Sequence, residues 1–420
     1  MRVLIDAANR DDPHGTGVAT YARTLSTALS QLGHSVCWLS GATAPKKPSP
    51  LSDEVSLWDK PEPVRGARQK LQTAQRMIGG LTPGAPAIRA VPSTGAVLDA
   101  RQSDYYLAPD VYTRAHYRHM LSRRFTTLKA PAGVDVFHLS TPLPLYMRGA
   151  LNVVTIHDLV PIRLPNTTPD NNGEFIARAR ASAKRADLIV TVSEASKADI
   201  VSLLNINPER VAITYQSSDL EPLTSHERKS LPGVLRRFGL VEANYILFTG
   251  ALEPKKNVRR LIEAFSEIDS EMPLVIAGRR AWLWEREIQD LQASLSEAAA
   301  KRIRFLGYVT REDLRRLYTA ALAFAFPSLY EGFGLPVLDA LRFGVPTLTS
   351  YVASLPEVAG EAALYIDPFS RDSIRDGLSA LMSDQVLRQR LSAAGPEQAK
   401  RYSFEAYVQR LGDAYARLAS

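Results

Sequence analysis

Cysteine is nearly absent: Cys37 is the single one among 420 residues, so no disulfide can close within the chain, which suits a reducing compartment. Long apolar runs are missing too. No stretch approaches the roughly 20 residues that span a bilayer, and Val3-Leu4-Ile5 gives way to Asp6 too soon for a signal-peptide core. The expectation is a cytoplasmic protein. No Asp-x-Asp pair occurs, nor any zinc-ligand cluster, Walker A sequence or Gly-x-Ser-x-Gly. A chelated metal, a P-loop nucleotide site and an esterase elbow are therefore not expected, and no cofactor is called for.

What is present describes a globular chain. Hydrophobic residues make up 45% and charged residues 23%, ordinary proportions for burying cores. A length of 420 residues predicts two domains of roughly 200 residues each. The net charge of +7 points to an anionic partner. Between Lys60 and Lys129, 12 basic residues face only Glu62, Asp99, Asp104 and Asp110. This surface is either simply solvated or a patch for anionic lipid headgroups or a phosphorylated acceptor. Each basic side chain near a negative membrane adds about 1 kcal/mol. Nucleic acid is not expected, since no aromatic-basic recognition module is found.

Short apolar runs recur, separated by segments of helical periodicity, which predicts βα units and parallel sheets. Strands are expected at Arg2–Asp6, Val36–Leu39, Val134–Leu139, Asn152–His157, Leu188–Val192 and Val211–Tyr215. A second set is expected at Tyr245–Thr249, Leu274–Ala277, Ile303–Leu306, Ala321–Phe326, Thr347–Ser350 and Ala363–Ile366. Two doubly wound α/β domains follow, over residues 1–225 and 240–400, with ligands at the carboxyl ends of the strands. Residues 401–420 read as an amphipathic final helix. Pro, Lys, Ser and Gly crowd the segment after Gly41. It is expected to be a flexible basic insertion over about 41–130, with one basic helix around 64–77.

The stretch from Phe326 to Ala340 carries the most chemistry. A buried strand runs out, passes Glu331, Gly332 and Gly334, and enters a helix with Pro336 set early, where a missing N–H costs nothing. Glycine-lined backbone and a helix mouth attract phosphate. Glu331 can accept hydrogen bonds from sugar hydroxyls, and Asp339 can reach toward a ribose.

Glu331-Gly332-Phe333-Gly334-Leu335-Pro336-Val337-Leu338-Asp339 resembles the acidic pair of the retaining glycosyltransferases of family 4, although the second acid there is usually Glu. The likeness continues through Asp6 with Gly15-Thr16-Gly17, then Thr155-Ile156-His157-Asp158, then Thr191-Val192-Ser193-Glu194. It resumes at Thr249-Gly250-Ala251-Leu252-Glu253-Pro254-Lys255-Lys256-Asn257. The resemblance implies the GT-B fold, two Rossmann-like domains facing a central cleft, with the final helix packing back on the first domain. It also implies metal-independent transfer of a hexosyl group, mannosyl in many bacterial members. The donor is a nucleotide-diphosphate sugar such as GDP-mannose, and the acceptor a hydroxyl of a saccharide or lipid-linked saccharide.

By the same resemblance Glu331, His157 and Lys256 are catalytic, with Asp158 orienting the ring of His157. Donor contacts are implied for Gly17, Lys255, Lys256, Glu331, Gly332, Phe333, Gly334, Leu335 and Asp339, with Arg279 assisting. Peripheral association with the inner face of an anionic membrane is a further expectation. The alternatives are a nucleotide-sugar epimerase or sugar phosphorylase on the same fold, or a non-catalytic nucleotide-sugar-binding partner.

Overall fold

Runs such as Val3-Leu4-Ile5 and Ile246-Leu247-Phe248 show no polar alternation, so both their faces need apolar cover, as at the middle of a parallel sheet. The computed structural model of the chain describes residues 1–8, 17–43, 49–57, 86–92, 104–168, 172–281, 291 and 295–418, and it places them there.

The first domain contains β1 (Arg2–Asp6), β2 (Ser35–Ser40), β3 (Arg89–Val91), β4 (Asp104–Leu107) and β5 (Thr126–Lys129). It continues with β6 (Val136–Leu139), β7 (Leu145–Arg148), β8 (Leu151–Thr155), β9 (Leu188–Thr191) and β10 (Val211–Ile213). Eight of these form one sheet in the order β10-β9-β8-β6-β1-β2-β4-β3, parallel except for β3, while β5 and β7 pair separately. The second domain carries β11 (Ile246–Thr249), β12 (Leu274–Ala277), β13 (Ile303–Gly307), β14 (Ala323–Phe326), β15 (Thr347–Ser350) and β16 (Ala363–Ile366). Their order is β13-β12-β11-β14-β15-β16, all parallel. Each expected strand coincides with an observed one to within 2 residues at either end.

Helices α1 (Gly17–Gln31), α2 (Val111–Ser122) and α3 (Glu194–Leu204) belong to the first domain, and α4 (Val258–Ser266), α5 (Leu335–Arg342) and α6 (Leu355–Ala359) to the second. The last, α7 (Phe404–Ala416), crosses back. Its buried Tyr407, Leu411 and Tyr415 pack with Leu25 and Leu29 of α1 and with Val3 and Val136 of the first sheet. Recurrence at four-residue spacing puts these side chains on one helix face. A separate core, including Phe248, Ile276, Phe324 and Leu338, fills the second domain.

The stretch 104–129, read from composition as part of a flexible insertion, is instead ordered. Tyr105, Tyr106 and Leu107 are buried, and β4 pairs in parallel with β2, from Cys37 opposite Asp104 to Ser40 opposite Leu107. The many basic residues near it in sequence, of which Arg123, Arg124 and Lys129 are exposed, masked a short apolar strand. The basic helix expected around 64–77, with Arg65, Arg68, Lys70 and Arg76, lies outside the described residues.

One buried polar chain ties α7 to the first sheet. Tyr415 Oη lies 2.6 Å from His138 Nδ1, His138 Nε2 lies 2.8 Å from Thr155 Oγ1, and Thr155 Oγ1 lies 2.8 Å from Tyr21 Oη. Hydroxyls on both sides of the ring satisfy a neutral imidazole, one nitrogen donating and the other accepting. Burial pushes the His138 pKa down to about 3, with His157 adding to the effect.

The sign follows from proton uptake. Between the folded value and about 6.5 the unfolded chain binds a proton at this site that the folded chain refuses, so stability falls as the pH drops through that window. Between pH 6 and pH 4 the protein should lose about 2 kcal/mol more than a His138→Gln variant, which has no such titration. Urea unfolding at both pH values checks this; parallel losses in the two proteins would contradict it.

Candidate active site

Because β11 and β14 are parallel neighbours, the loops leaving their carboxyl ends meet although they are far apart in sequence. The first holds Lys255 and Lys256 in a turn (Pro254–Lys256), and the second holds Ser328 and Glu331. Lys256 Nζ donates to Glu331 Oε1 at 2.6 Å, and Ser328 Oγ lies 2.5 Å from the same oxygen. Lys256 Nζ also sits 4.9 Å from the centroid of the Phe326 ring, over its electron-rich face.

Both side chains are buried, at 8% exposure for Lys256 and 6% for Glu331. Burial alone would push the Glu331 carboxyl up, but Lys256, Lys255 and the Ser328 hydrogen bond outweigh it and hold the carboxyl below its ordinary value. Glu331 is therefore a stable carboxylate. Both bonds fall on Oε1, so among the described residues Oε2 keeps its lone pairs for a ligand. Burial likewise pulls Lys255 down, yet Glu331, Asp158 and Glu253 together hold its ammonium above the usual lysine value.

These groups line a cavity of about 640 Å³ between the two domains. Every residue singled out from the sequence as catalytic or donor-binding lies on its wall: Gly17, His157, Lys255, Lys256, Glu331, Gly332, Phe333, Gly334, Leu335 and Asp339, with Arg279 beside them. Gly15 and Thr16 lie outside the described residues.

Three glycines are required by geometry. Gly334 caps α5 with φ +103° and no side-chain cap, leaving the helix mouth open to the cavity. A Cβ on Gly278 would fall 1.8 Å from the Gly250 carbonyl oxygen, so the ends of β11 and β12 touch backbone to backbone. A Cβ on Gly332 would fall 2.7 Å from the His157 carbonyl oxygen and 2.8 Å from Asp158 Cβ. The loop carrying Glu331 thus rests directly on the first domain.

His157 ends up differently held from the sequence expectation. Its Nε2 lies 2.9 Å from the Ser140 carbonyl oxygen and its Nδ1 3.1 Å from Gln216 Nε2. The carbonyl can only accept and the amide nitrogen can only donate, so the ring is neutral with its proton on Nε2. Burial pushes its pKa down, and the Ser140 bond and Asp158 offset only part of that. Asp158 does not orient the ring: its Oδ1 accepts instead from Val160 N at 3.1 Å, closing the turn after the strand. Tyr21 packs edge-on against the imidazole at 4.6 Å.

Asp339 is buried in α5, where its carboxyl accepts from the Ser218 hydroxyl. Burial, and to a lesser degree Asp219, lift its pKa to about 7 against that hydrogen bond. Near neutrality it is a half-protonated group tied to the segment joining the domains.

Gln216 and Ser328 escaped the sequence reading. Gln216 stands in no chemically suggestive motif, and Ser328, although inside the stretch from Phe326 to Ala340, is given no role there; each matters only through a partner distant in the chain or across a turn. Tyr308 is exposed at the cavity rim after β13. Taken together, the walls offer two lysines, an arginine and a helix mouth for a polyanion, with an ionised carboxylate beside them for hydroxyls.

Comparison with known proteins agrees in sequence and in shape. The family described as Glycosyltransferase Family 4 matches residues 15–221, and that described as Glycosyl transferases group 1 matches residues 236–398. The O-antigen chain mannosyltransferase B of Escherichia coli is 36% identical over 260 residues, spanning 60% of this chain and 67% of that protein. The serotype-specific mannosyltransferase WbdA of the same species is 29% identical over 259 residues, 60% of this chain but only 32% of that longer protein. Anabaena Alr3699/HepE, solved in complex with UDP and glucose, superposes with a TM-score of 0.64 at 14% identity, over 99% of both chains. Paired Rossmann-like domains, the matched halves and the relatives converge: the chain belongs to the group 1 glycosyl transferases of family 4, and is a glycosyltransferase of the GT-B fold.

Proposed function

We propose that the protein transfers a hexosyl group, with retention, from a nucleotide-diphosphate sugar to a hydroxyl of a saccharide or lipid-linked saccharide. Mannose is the sugar we assign, carried by GDP, because both E. coli relatives are mannosyltransferases by name. The observation that carries the reading is the buried Lys256–Glu331 pair, which sets a cation and a carboxylate side by side at the mouth of α5.

The pair divides the donor between its members. An ammonium has three protons to donate, and Glu331 uses one, so Lys256 can still bind a diphosphate oxygen. Charge grows on that diphosphate as the glycosidic bond breaks, and fixed cations there are worth several kcal/mol to the transition state. Lys255, Arg279 and the helix mouth add to the field, so the countercharge comes from the protein in place of a metal. Glu331 Oε2 meanwhile accepts from the sugar hydroxyls.

Glu331 is committed to Lys256 and Ser328 and is poorly disposed to act as a covalent nucleophile. Same-face departure and attack through an oxocarbenium-like ion pair is the mechanism we assign, with the leaving phosphate oxygen taking the acceptor proton. His157, with both ring nitrogens engaged, shapes the sugar pocket without moving protons.

Peripheral membrane association is also part of this reading. Leu121 is 43% exposed at the end of α2, beside the exposed Arg123 and Arg124. An apolar side chain flanked by cations fits an anionic bilayer surface.

Glu331→Ala should lower kcat with GDP-mannose roughly a hundredfold, about 3 kcal/mol of transition-state stabilisation, with the fold intact by circular dichroism. Near-normal transfer would remove the sugar assignment. Replacing Arg123 and Arg124 with Gln should reduce co-sedimentation with phosphatidylglycerol vesicles while leaving turnover of a soluble acceptor in place, and unchanged sedimentation would withdraw the membrane reading.

A further inference from the structure

The loop that carries Glu331 is held from two sides by different domains. Its side chain answers to Lys256 and Ser328 of the second domain. Its flanks reach the first as well. On one side the Tyr330 hydroxyl donates to Asp199 Oδ2 of α3. On the other, Ser193 Oγ donates to the Gly332 carbonyl oxygen at 2.7 Å, and Gly332 sits where no Cβ could fit against His157 and Asp158.

Asp199 is built for this contact. It is buried, at 4% exposure, and Arg163 Nε donates to its Oδ1 at 3.0 Å from within the same domain. Arg163 thereby neutralises the carboxylate and fixes its rotation, leaving Oδ2 for the neighbouring domain. Burial and the adjoining Asp199 keep the Tyr330 hydroxyl protonated, hence a donor. The arrangement is reinforced at the mouth of α3, where the Glu194 N–H donates to Glu357 Oε1 and Oε2 of α6 at 2.9 and 3.1 Å. Ser354, just before α6, lies 2.9 Å from both the Glu331 and the Phe333 carbonyl oxygens.

We propose that Tyr330 and Asp199 are positioning residues whose hydrogen bond makes the alignment of Glu331 conditional on the two domains being together. In this proposal the groups that grip the diphosphate, Lys255, Lys256, Arg279 and the mouth of α5, all belong to the second domain. The carboxylate that engages the sugar is brought to its working position only when the Tyr330 side of its loop is seated on α3. Glycosyl transfer is thereby confined to the closed cleft, from which bulk water is excluded. This inference rests on the reading of Glu331 as the sugar-engaging group.

Tyr330→Phe removes one hydroxyl and nothing else, and tests the idea. Losing a hydrogen bond to a charged partner should lower kcat about tenfold. The donor KM and the calorimetric affinity for the nucleoside diphosphate should stay within about twofold of the parent. Asp199→Ala should give the same split, and the double variant should be no slower than the worse single one, since both changes remove the same bond. Parental kcat in Tyr330→Phe, with only a lower Tm, would make the contact a mere structural tie and overturn the proposal, as would losses that add in the double variant. Should Glu331→Ala itself keep its kcat, the sugar assignment would fail along with this proposal. A crippled Glu331→Ala beside a fully active Tyr330→Phe would refute the positioning role alone.

Discussion

Everything in the cleft depends on two opposite charges held together away from water. Desolvating a lysine and a glutamate is costly, and their attraction repays that cost only where geometry is good and the remaining valences are met. Here Ser328 and the ring of Phe326 supply the supporting contacts, and Lys255 adds a second positive charge beside the carboxylate. Such a pair is weak evidence for stability by itself. Its value lies in what it presents: an ammonium with protons to spare and a carboxylate with a free oxygen, fixed relative to each other before any ligand arrives. Pre-set charges of this kind need no reorganisation when a diphosphate begins to leave.

The topology explains why the pair exists at all. In a parallel sheet every strand delivers its following loop to the same edge, and β11 and β14 are neighbours at the centre of theirs. Lys256 and Glu331 therefore meet across 75 positions of sequence. The same edge receives α5 with its uncapped mouth and the backbone contact between Gly250 and Gly278. Opposite it, the first domain brings its own carboxyl edge, with His157 at the end of β8 and Gly17 at the start of α1. Two sheets facing by their carboxyl edges leave a cleft, and a ligand long enough to carry both a diphosphate and a sugar is the kind of molecule that fills it.

Much of this was legible in the chain before any coordinates. Uninterrupted apolar runs located the strands because both faces of a parallel sheet are buried, and the spacing of Glu331, Gly334 and Pro336 gave the loop-to-helix turn its form. Composition failed where it had to stand in for packing: the basic residues around β4 hid the strand Asp104–Leu107, whose place is fixed by pairing with β2. Pairwise chemistry was the other blind spot. Gln216 holds the His157 ring across 59 positions, and Asp158 turns away to close its own turn. A hydrogen bond between distant segments leaves no periodicity to read, so sequence could name His157 but not its keeper.

The central claim is that Lys256 serves the diphosphate while its partner serves the sugar. Titration calorimetry with guanosine and with GDP separates the two parts of the nucleotide. The account predicts that Lys256→Ala lowers GDP affinity about tenfold or more, the scale of a lost charge-assisted hydrogen bond, while guanosine binds as before. Equal weakening of both ligands, or none of either, would contradict it.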